Sequence, residues 1–370
     1  MRRWPTKPLG DVCELVNGAP FKPSDWDGTG LPIVRIQNLN DPAKPFNYTS
    51  KKLAEKFRVR TGDTLLSWSG TPGTSFGCFR WSGPDGWLNQ HIFNVHLNDE
   101  VLPAFFIYQV NSKLQELIGK AHGGVGLQHI TKGALSAVTI RVPPLAEQER
   151  IVKLLGEADG LRKLSAQADR RTADLIPALF HEMFGDPAEN PKGWPVKVFG
   201  ELATNQDGKR RPVKASDRAE KRGEYPYYGA SGIIDFVEGY LFDERTLLIA
   251  EDGANLLSRS TPIAFIASGE YWVNNHAHVV SENGNADLDY LCAAFGLLDL
   301  TDYITGSAQP KLNQANLNRI PIPVPPLPLQ REFAHRVSEV RQIEAAQAVS
   351  RARLDALFQS MLHRAFNGEL

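Results

Sequence analysis

Residues 205–228 read NQDGKRRPVKASDRAEKRGEYPYY and set seven Lys/Arg, at 209, 210, 211, 214, 218, 221 and 222, against four acids. Such a stretch, interleaved with amides and tyrosines, has the chemistry to meet a nucleic acid. Lys and Arg neutralise phosphates, while Arg, Asn and Gln can reach base edges. A solvated loop has the same composition, so the run by itself admits both readings. Lys44, Lys51, Lys52, Lys56, Arg58 and Arg60 form a similar basic stretch earlier in the chain. Glycine-rich loops bearing amides lie at 67–77 (SWSGTPGTSFG), 123–130 (GGVGLQHI), 250–259 (AEDGANLLSR) and 306–313 (GSAQPKLN). Glycine lets backbone approach a ligand closely. The candidate nucleic-acid contacts are Arg35, Gln37, Ser69, Thr71, Gln90 and Gln128, then Gln206, Lys209, Arg210, Arg211, Tyr228, Asn255, Arg259, Asn275, Gln309 and Lys311.

Other chemistries lack their residues. There is no G-x-x-x-x-G-K-[ST] loop and no G-x-G-x-x-G after a strand, so ATP and dinucleotides have no support. No G-x-S-x-G elbow is present. The proline pairs at 143–144 and 325–326 follow valine and precede leucine; an amino-methyltransferase site would want Asp or Asn before them and an aromatic after. His276 and His278 share one strand face, with no third ligand close in sequence, so neither a metal nor any other cofactor is expected. His91 and His276 recur at matching positions; each fits either a polar contact at a binding face or a satisfied histidine beside a buried Trp.

Composition narrows the class. The 370 residues are 42% hydrophobic and 22% charged, the balance of a globular chain of about two domains. Lys+Arg 41 against Asp+Glu 42 gives a net charge of −1, which leaves any nucleic-acid contact to local patches. No apolar run approaches the roughly 20 residues of a membrane span, and no apolar segment of a secretory signal follows MRRWPTKPLGD. Three widely spaced cysteines, Cys13, Cys78 and Cys292, argue against a disulfide framework and fit a reducing cytoplasm.

The elements that must position these residues come as a repeat. VPPLAEQ at 142–148 returns as VPPLPLQ at 324–330, a shift of 182 that also pairs Ile140 with Ile322, Leu175 with Leu357 and Phe184 with Phe366. Thr64-Leu65-Leu66 falls on Thr246-Leu247-Leu248, and, after a slip of three, the segment Trp87–His91 falls on Trp272–His276. The N-terminal segments match loosely, Leu9-Gly10-Asp11 against Phe199-Gly200-Glu201. Each half opens with strand-length apolar runs bounded by turn signals: LPIVRI at 31–36, DTLLSW at 63–68, IFNVHL at 92–97, TLLIA at 246–250, PIAFIA at 262–267 and AHVVS at 277–281. Short helices fit 102–118 and 287–300. After each proline pair a long helix is predicted, at about 146–183 and 328–366. Apolar residues recur at 151, 154, 158, 161, 168, 175 and 179 in one, and at Phe333, Val337, Val340, Ile343, Leu354, Leu357 and Met361 in the other, near a 3.5 period. Pro177 should kink the first helix in its last turns. A helix of about 38 residues is about 57 Å long, more than one small domain covers, so an antiparallel coiled coil between the two is favoured over two separate helices.

This order, a loop-rich domain, a PPLxEQ-like motif and a long helix, all repeated once, resembles the specificity (S) subunit of type I restriction-modification systems. VPPLAEQERIVKLLGEAD (142–159) and LFHEMFGD (179–186) are similar to that family's central region, and VPPLPLQREFAHRV (324–337) with LFQSMLHRAFNGEL (357–370) to its second copy. RIQNLN (35–40), GDTLLSWSGTPG (62–73), NQHIFNV (89–95), NNHAHVV (274–280) and TGSAQPKLNQANLNRIPIPVPPL (305–327) resemble segments of its target-recognition domains. The resemblance implies an α+β tandem duplication: target-recognition domain 1 at 1–145, a conserved helix at 146–185, target-recognition domain 2 at 186–327 and a second helix at 328–370. It implies a cytoplasmic, non-catalytic subunit that reads a bipartite, asymmetric site on double-stranded DNA, with the helices as a ruler over the unread spacer. Two methyltransferase subunits and, through them, restriction subunits would be its partners. An interaction scaffold and an enzyme with a loop-built site remain as the other classes.

Overall fold

A computed structural model describes residues 4–41, 43–71, 74–119, 122–124, 127–220, 222–306 and 308–370. It divides into two compact units, Met1–Ser165 with Ser350–Leu370, and Ala166–Val349. The architecture is mixed α+β.

In the first unit an antiparallel sheet runs in the order Cys13–Asn17, Ile92–Leu97, Thr64–Ser67, Gly77–Arg80. The second unit repeats it as Ala203–Asn205, Ala277–Glu282, Thr246–Ala250, Ala264–Ala267. A further sheet in each carries the parallel pairing of Leu31–Val34 with Gly86–Leu88, and of Arg222–Gly229 with Glu270–Val273. The loosely matching N-terminal segments therefore build the same strand order.

Both units close in the same way. Thr6–Pro8 pairs with Thr139–Arg141, and Val196–Val198 with Pro321–Pro323. The N–H of Val142 donates to Pro5 O and that of Val324 to Pro195 O. The start and end of each globular part meet, and the proline pair then releases the chain into its long helix.

The glutamine of the motif locks that junction. Gln148 and Gln330 are both 0% exposed. Gln148 Oε1 accepts the Leu102 N–H at 2.8 Å while its amide donates to Glu100 O and Pro143 O. Gln330 Oε1 accepts the Asp287 N–H at 2.9 Å and its amide donates to Pro325 O. Leu102 and Asp287 are the residues that open the helices Pro103–Ser112 and Leu288–Leu297. Gln148→Ala or Gln330→Ala strands buried donors and acceptors, so each is expected to lower unfolding free energy by about 1–3 kcal/mol. Denaturant titration checks this; a loss within about 0.5 kcal/mol, the range of an ordinary surface substitution, would show the clamp to be dispensable.

The long helices differ from their sequence reading in two respects. The first is two segments, Leu145–Ala173 and Leu175–Phe184, broken at Asp174. Pro177 has no N–H for the Ala173 carbonyl, and its ring crowds that turn. The second runs unbroken as Leu327–Asn367. Within the first unit, Phe358 and Phe366 meet Tyr108 and Phe105, and Arg162 Nε donates to Asp355 at 2.7 Å. Within the second, Phe180 and Phe184 meet Phe333 and Tyr290, and Gln347 donates to Thr172 Oγ1. The buried stripe holds Ile151, Leu155, Ala158 and Thr172, then Phe333, Val337, Phe358 and Leu362. Leu161, Leu175, Ile343 and Leu357, read as part of that seam, are instead exposed.

Three short-range expectations also change. Of LPIVRI only Leu31–Val34 is strand; Ile36–Asn40 is helical, its first turn closed by Asn38 Oδ1 accepting the Arg35 N–H. The helix at 102–118 divides into Pro103–Ser112 and Leu114–Gly119. The basic stretch 205–228 is only partly loop: Ala215–Glu220 is helix and Arg222–Gly229 strand.

Candidate nucleic-acid interface

One constellation of loops recurs at the same end of the antiparallel sheet in both units. In the second unit the Glu251 N–H donates to His276 O at 2.9 Å, and Glu251 O accepts the Leu312 N–H at 2.8 Å. In the first unit the Trp68 N–H donates to His91 O at 3.3 Å, and Trp68 O accepts the Ile130 N–H at 3.0 Å. Trp68 thus stands where Glu251 stands, Ser69 where Asp252 stands, and His91 where His276 stands. Strand pairing carries the match further: Ser69 faces His129, and Asp252 bridges Lys311.

The side chains beneath these loops are chemically opposite. In the first unit Trp68 stacks on Phe93 at 5.5 Å, and its indole N–H donates to Asn17. The matching positions in the second unit are Glu251, His278 and Asp207. His278 Nδ1 lies 2.6 Å from Asp207 Oδ2, and its Nε2 lies 2.7 Å from Leu312 O. Arg210 Nη1 donates to Glu251 Oε2 and to Ala277 O, each at 2.7 Å, and Lys311 Nζ lies 3.1 Å from Glu251. Burial pushes the Asp207 and Glu251 carboxyls up. Hydrogen bonds, chiefly from His278 to Asp207 and from Arg210 to Glu251, outweigh it and hold both below the usual carboxylate range.

Asp207, Glu251 and His278 are the one group of metal-ligand side chains close enough to share an ion among the described residues. Their acceptors are engaged by Arg210 and Lys311, and both imidazole nitrogens face protein oxygens. The donor set is that of a buried ion-pair network rather than a metal cage.

Several candidate contacts occupy this surface. Arg211, Asn275 and Gln309 are exposed, and Lys209 is 60% exposed, with Glu244 at 3.7 Å and the Phe242 ring beneath its ammonium. Lys311 is half-exposed beside Glu251. Gln206 reaches Glu244, and Tyr228 is half-buried against Phe265. In the first unit Ser69 is buried, Thr71 is in a turn where its N–H donates to Ser75, and Gln90 sits beside His91. Arg35 lies over Trp26 and donates to Asn47, while Gln37 reaches Pro45 O. Gln128 is on a short strand, and its side chain lies outside the described residues.

Others are turned inward. Arg210, 13% exposed, serves the ion-pair network. Arg259 donates to Phe295 O and Leu298 O, closing the C-terminus of Leu288–Leu297. Asn255 ties its own turn to Thr261. In these three the polar atoms are already engaged within the fold. The first-half basic stretch is partly neutralised, by Arg60–Glu55 within it and by Lys51–Asp25 and Arg58–Asp85 from outside it. Sequence reasoning missed Asp252, whose carboxylate holds His276 Nδ1 at 2.8 Å; the only prior signal was the recurrence of histidine at 91 and 276.

The fold is a duplicated α+β unit that presents polar, amide-rich loops at one end of a sheet. The sequence model of the type I restriction modification DNA specificity domain matches residues 1–168 and again 191–349; the chain belongs to that family. It is 39% identical over 137 residues to a putative type I restriction enzyme specificity subunit of Haemophilus influenzae, covering 37% of this chain and 34% of that protein. It is 22% identical over 405 aligned positions to the putative MjaX specificity subunit of Methanocaldococcus jannaschii, covering 99% and 93%. The fold is similar to the crystal structure of the type I system S subunit from M. genitalium, at a TM-score of 0.62 and 18% identity over 98% of this chain and 96% of that one. Among the described residues no helix is long and apolar enough to cross a membrane.

Proposed function

We propose that this chain is the DNA-reading subunit of a type I restriction-modification complex, in which each unit reads one half of a bipartite, asymmetric duplex site. The supporting observation is the recurring loop constellation, which keeps its backbone bonds in both units while its side chains differ. A shared frame with different side chains is what two different half-sites require, because base edges are distinguished by side-chain donors and acceptors. The surface cations Lys209, Arg211 and Lys311 meet phosphates, and the amides of Gln90, Asn275 and Gln309 reach bases. The two long helices pair as an antiparallel coiled coil and fix the unread spacer. The complex works in the cytoplasm, where the cellular DNA is.

Exchanging residues 1–143 for the equivalent segment of another family member is expected to change one half of the methylated sequence and leave the other. Mapping modified sites by sequencing checks this. If both halves changed together, independent reading would be wrong.

The exposed apolar residues on the helices support two copies of one partner, the methyltransferase subunit, with restriction subunits joining through them. Leu161 and Ile343 are 53% and 48% exposed, and Leu175 and Leu357 are 44% and 51% exposed. Each pair is related by the repeat shift, and each unit holds one residue from either helix. A duplicated surface binds two copies of one subunit. Leu161→Asp with Leu357→Asp is expected to lower the assembled ratio from two methyltransferase subunits to one, read by the mass of the purified complex. Retention of both copies would remove these residues from the docking surface.

A further inference from the structure

In the second unit, His276 lies in the turn that leads into Ala277–Glu282, with its N–H held by Asn274 Oδ1 at 2.8 Å. Its Nδ1 faces both oxygens of Asp252, at 2.8 and 3.0 Å. The imidazole is 48% exposed while Asp252 is 15% exposed, so the carboxylate lies behind the ring. The backbone on either side of Asp252 is fixed: the Glu251 N–H donates to His276 O, and the Gly253 N–H to Pro310 O. Nε2 makes no hydrogen bond among the described residues, and Asn275 and Gln309, both exposed, belong to the same loops.

The matching histidine of the first unit is wired differently. His91 sits beside Trp68, its Nδ1 is enclosed with no hydrogen-bond partner among the described residues, and Ser69 stands at the position of Asp252. Burial, with a smaller contribution from Arg35, holds its imidazole below the ordinary histidine range. A carboxylate behind one ring nitrogen settles which nitrogen carries the proton; at this matched position the second unit has Asp252 and the first has Ser69.

We propose that Asp252 and His276 form a base-reading pair specific to the second domain. Asp252 is a positioning residue that keeps the proton on Nδ1, and His276 presents Nε2 as an acceptor to the exocyclic amino group of one base. This rests on the DNA-reading role argued above. No such residue follows from the general architecture, because the first domain lacks the carboxylate.

The test uses the full complex with its methyltransferase partners, and binding to oligonucleotides varied at each position of both half-sites. His276→Ala and Asp252→Ala are expected to lose discrimination at one shared position of the second half-site by roughly tenfold, the scale of one base contact, with every other position unchanged. Restoring the acceptor with His276→Gln should recover part of it. At that position, purine in place of adenine, or pyrimidin-2-one in place of cytosine, removes the amino group. It should weaken the wild type by about tenfold and the His276→Ala complex by nothing. The pair is overturned if the variants weaken all positions equally, if they affect different positions, or if the analogue weakens wild type and variant alike. A wild-type complex with no sequence preference at all would instead remove the DNA-reading role itself.

Discussion

Arg210→Ala is expected to lower the unfolding free energy of the second unit by about 3–5 kcal/mol, the effect of removing one partner from a buried ion pair. Arg210 and Glu251 are each only 13% exposed. Without the guanidinium, the Glu251 carboxylate and the Ala277 carbonyl lose their 2.7 Å donor in a place water reaches poorly. For a unit of this size the melting temperature should fall by roughly 2–4 °C per kcal/mol. The neighbouring variants Lys209→Ala and Arg211→Ala remove exposed cations, so stability should change by about 0.5 kcal/mol or less. Their effect belongs on DNA: each lost phosphate contact should flatten the log–log salt dependence of binding by about 0.9. Arg210 with unchanged stability and a flattened salt slope would reverse the assignment.

The pH dependence follows from the same network. Glu251 and Asp207 are held below the carboxylate range in the folded chain, so they favour folding above their unfolded values near pH 4. That contribution is lost as pH falls through the folded values. In Arg210→Ala the Glu251 carboxyl moves back up, so the stability gap between wild type and variant should be widest above about pH 5 and narrow toward pH 3. A gap that widens on acidification would show that Arg210 acts by packing. The first unit shows that charge is not obligatory in this place, since Trp68 and Phe93 fill it by stacking. Well-packed apolar groups commonly substitute for a buried ion pair at no loss.

The repeat made much of this fold legible. Equal spacing of VPPL and of the terminal phenylalanines ties two copies of one architecture to one sequence, whereas the Thr-Leu-Leu match is one residue out of register: strand pairing sets Thr64 against Leu247. Apolar runs such as IFNVHL and TLLIA are strands at their expected bounds, Ile92–Leu97 and Thr246–Ala250. Misreadings arise where the deciding partner is distant in sequence. The burial of Arg210 was not legible in the basic run, because beside its neighbour Asp207 it is held by Glu251 and Ala277, 41 and 67 residues away. Asp252 was invisible as a partner of His276 across 24 residues. Leu161 and Leu175 keep a heptad-like spacing with the buried residues, yet lie on an adjacent face. A helix with two apolar faces gives one periodicity, and only packing shows which face is covered.

Lengthening both helices by a full heptad is expected to widen the unread spacer while leaving both half-sites intact. Each helix passes from one unit to the other, at 165–166 in the first and at 349–350 in the second. Seven residues inserted at both places keep the apolar stripe on the same face, because the stripe repeats every 3.5 residues. At 1.5 Å per residue they add about 10 Å along the axis. With a rise of about 3.4 Å per base pair, the preferred spacer should grow by roughly two or three base pairs. The lower figure applies if the helix axis is inclined to the duplex. The loops that carry Asn275, Gln309 and Gln90 are untouched, so the half-site sequences stay as they were. Sequencing of methylated sites in cells carrying the lengthened chain with its partner subunits is the measurement. An active complex that kept the original spacer would exclude the helices as the ruler. A four-residue insertion in one helix alone serves as the contrast. It turns the stripe off its partner, so it should abolish activity through assembly rather than shift the spacer.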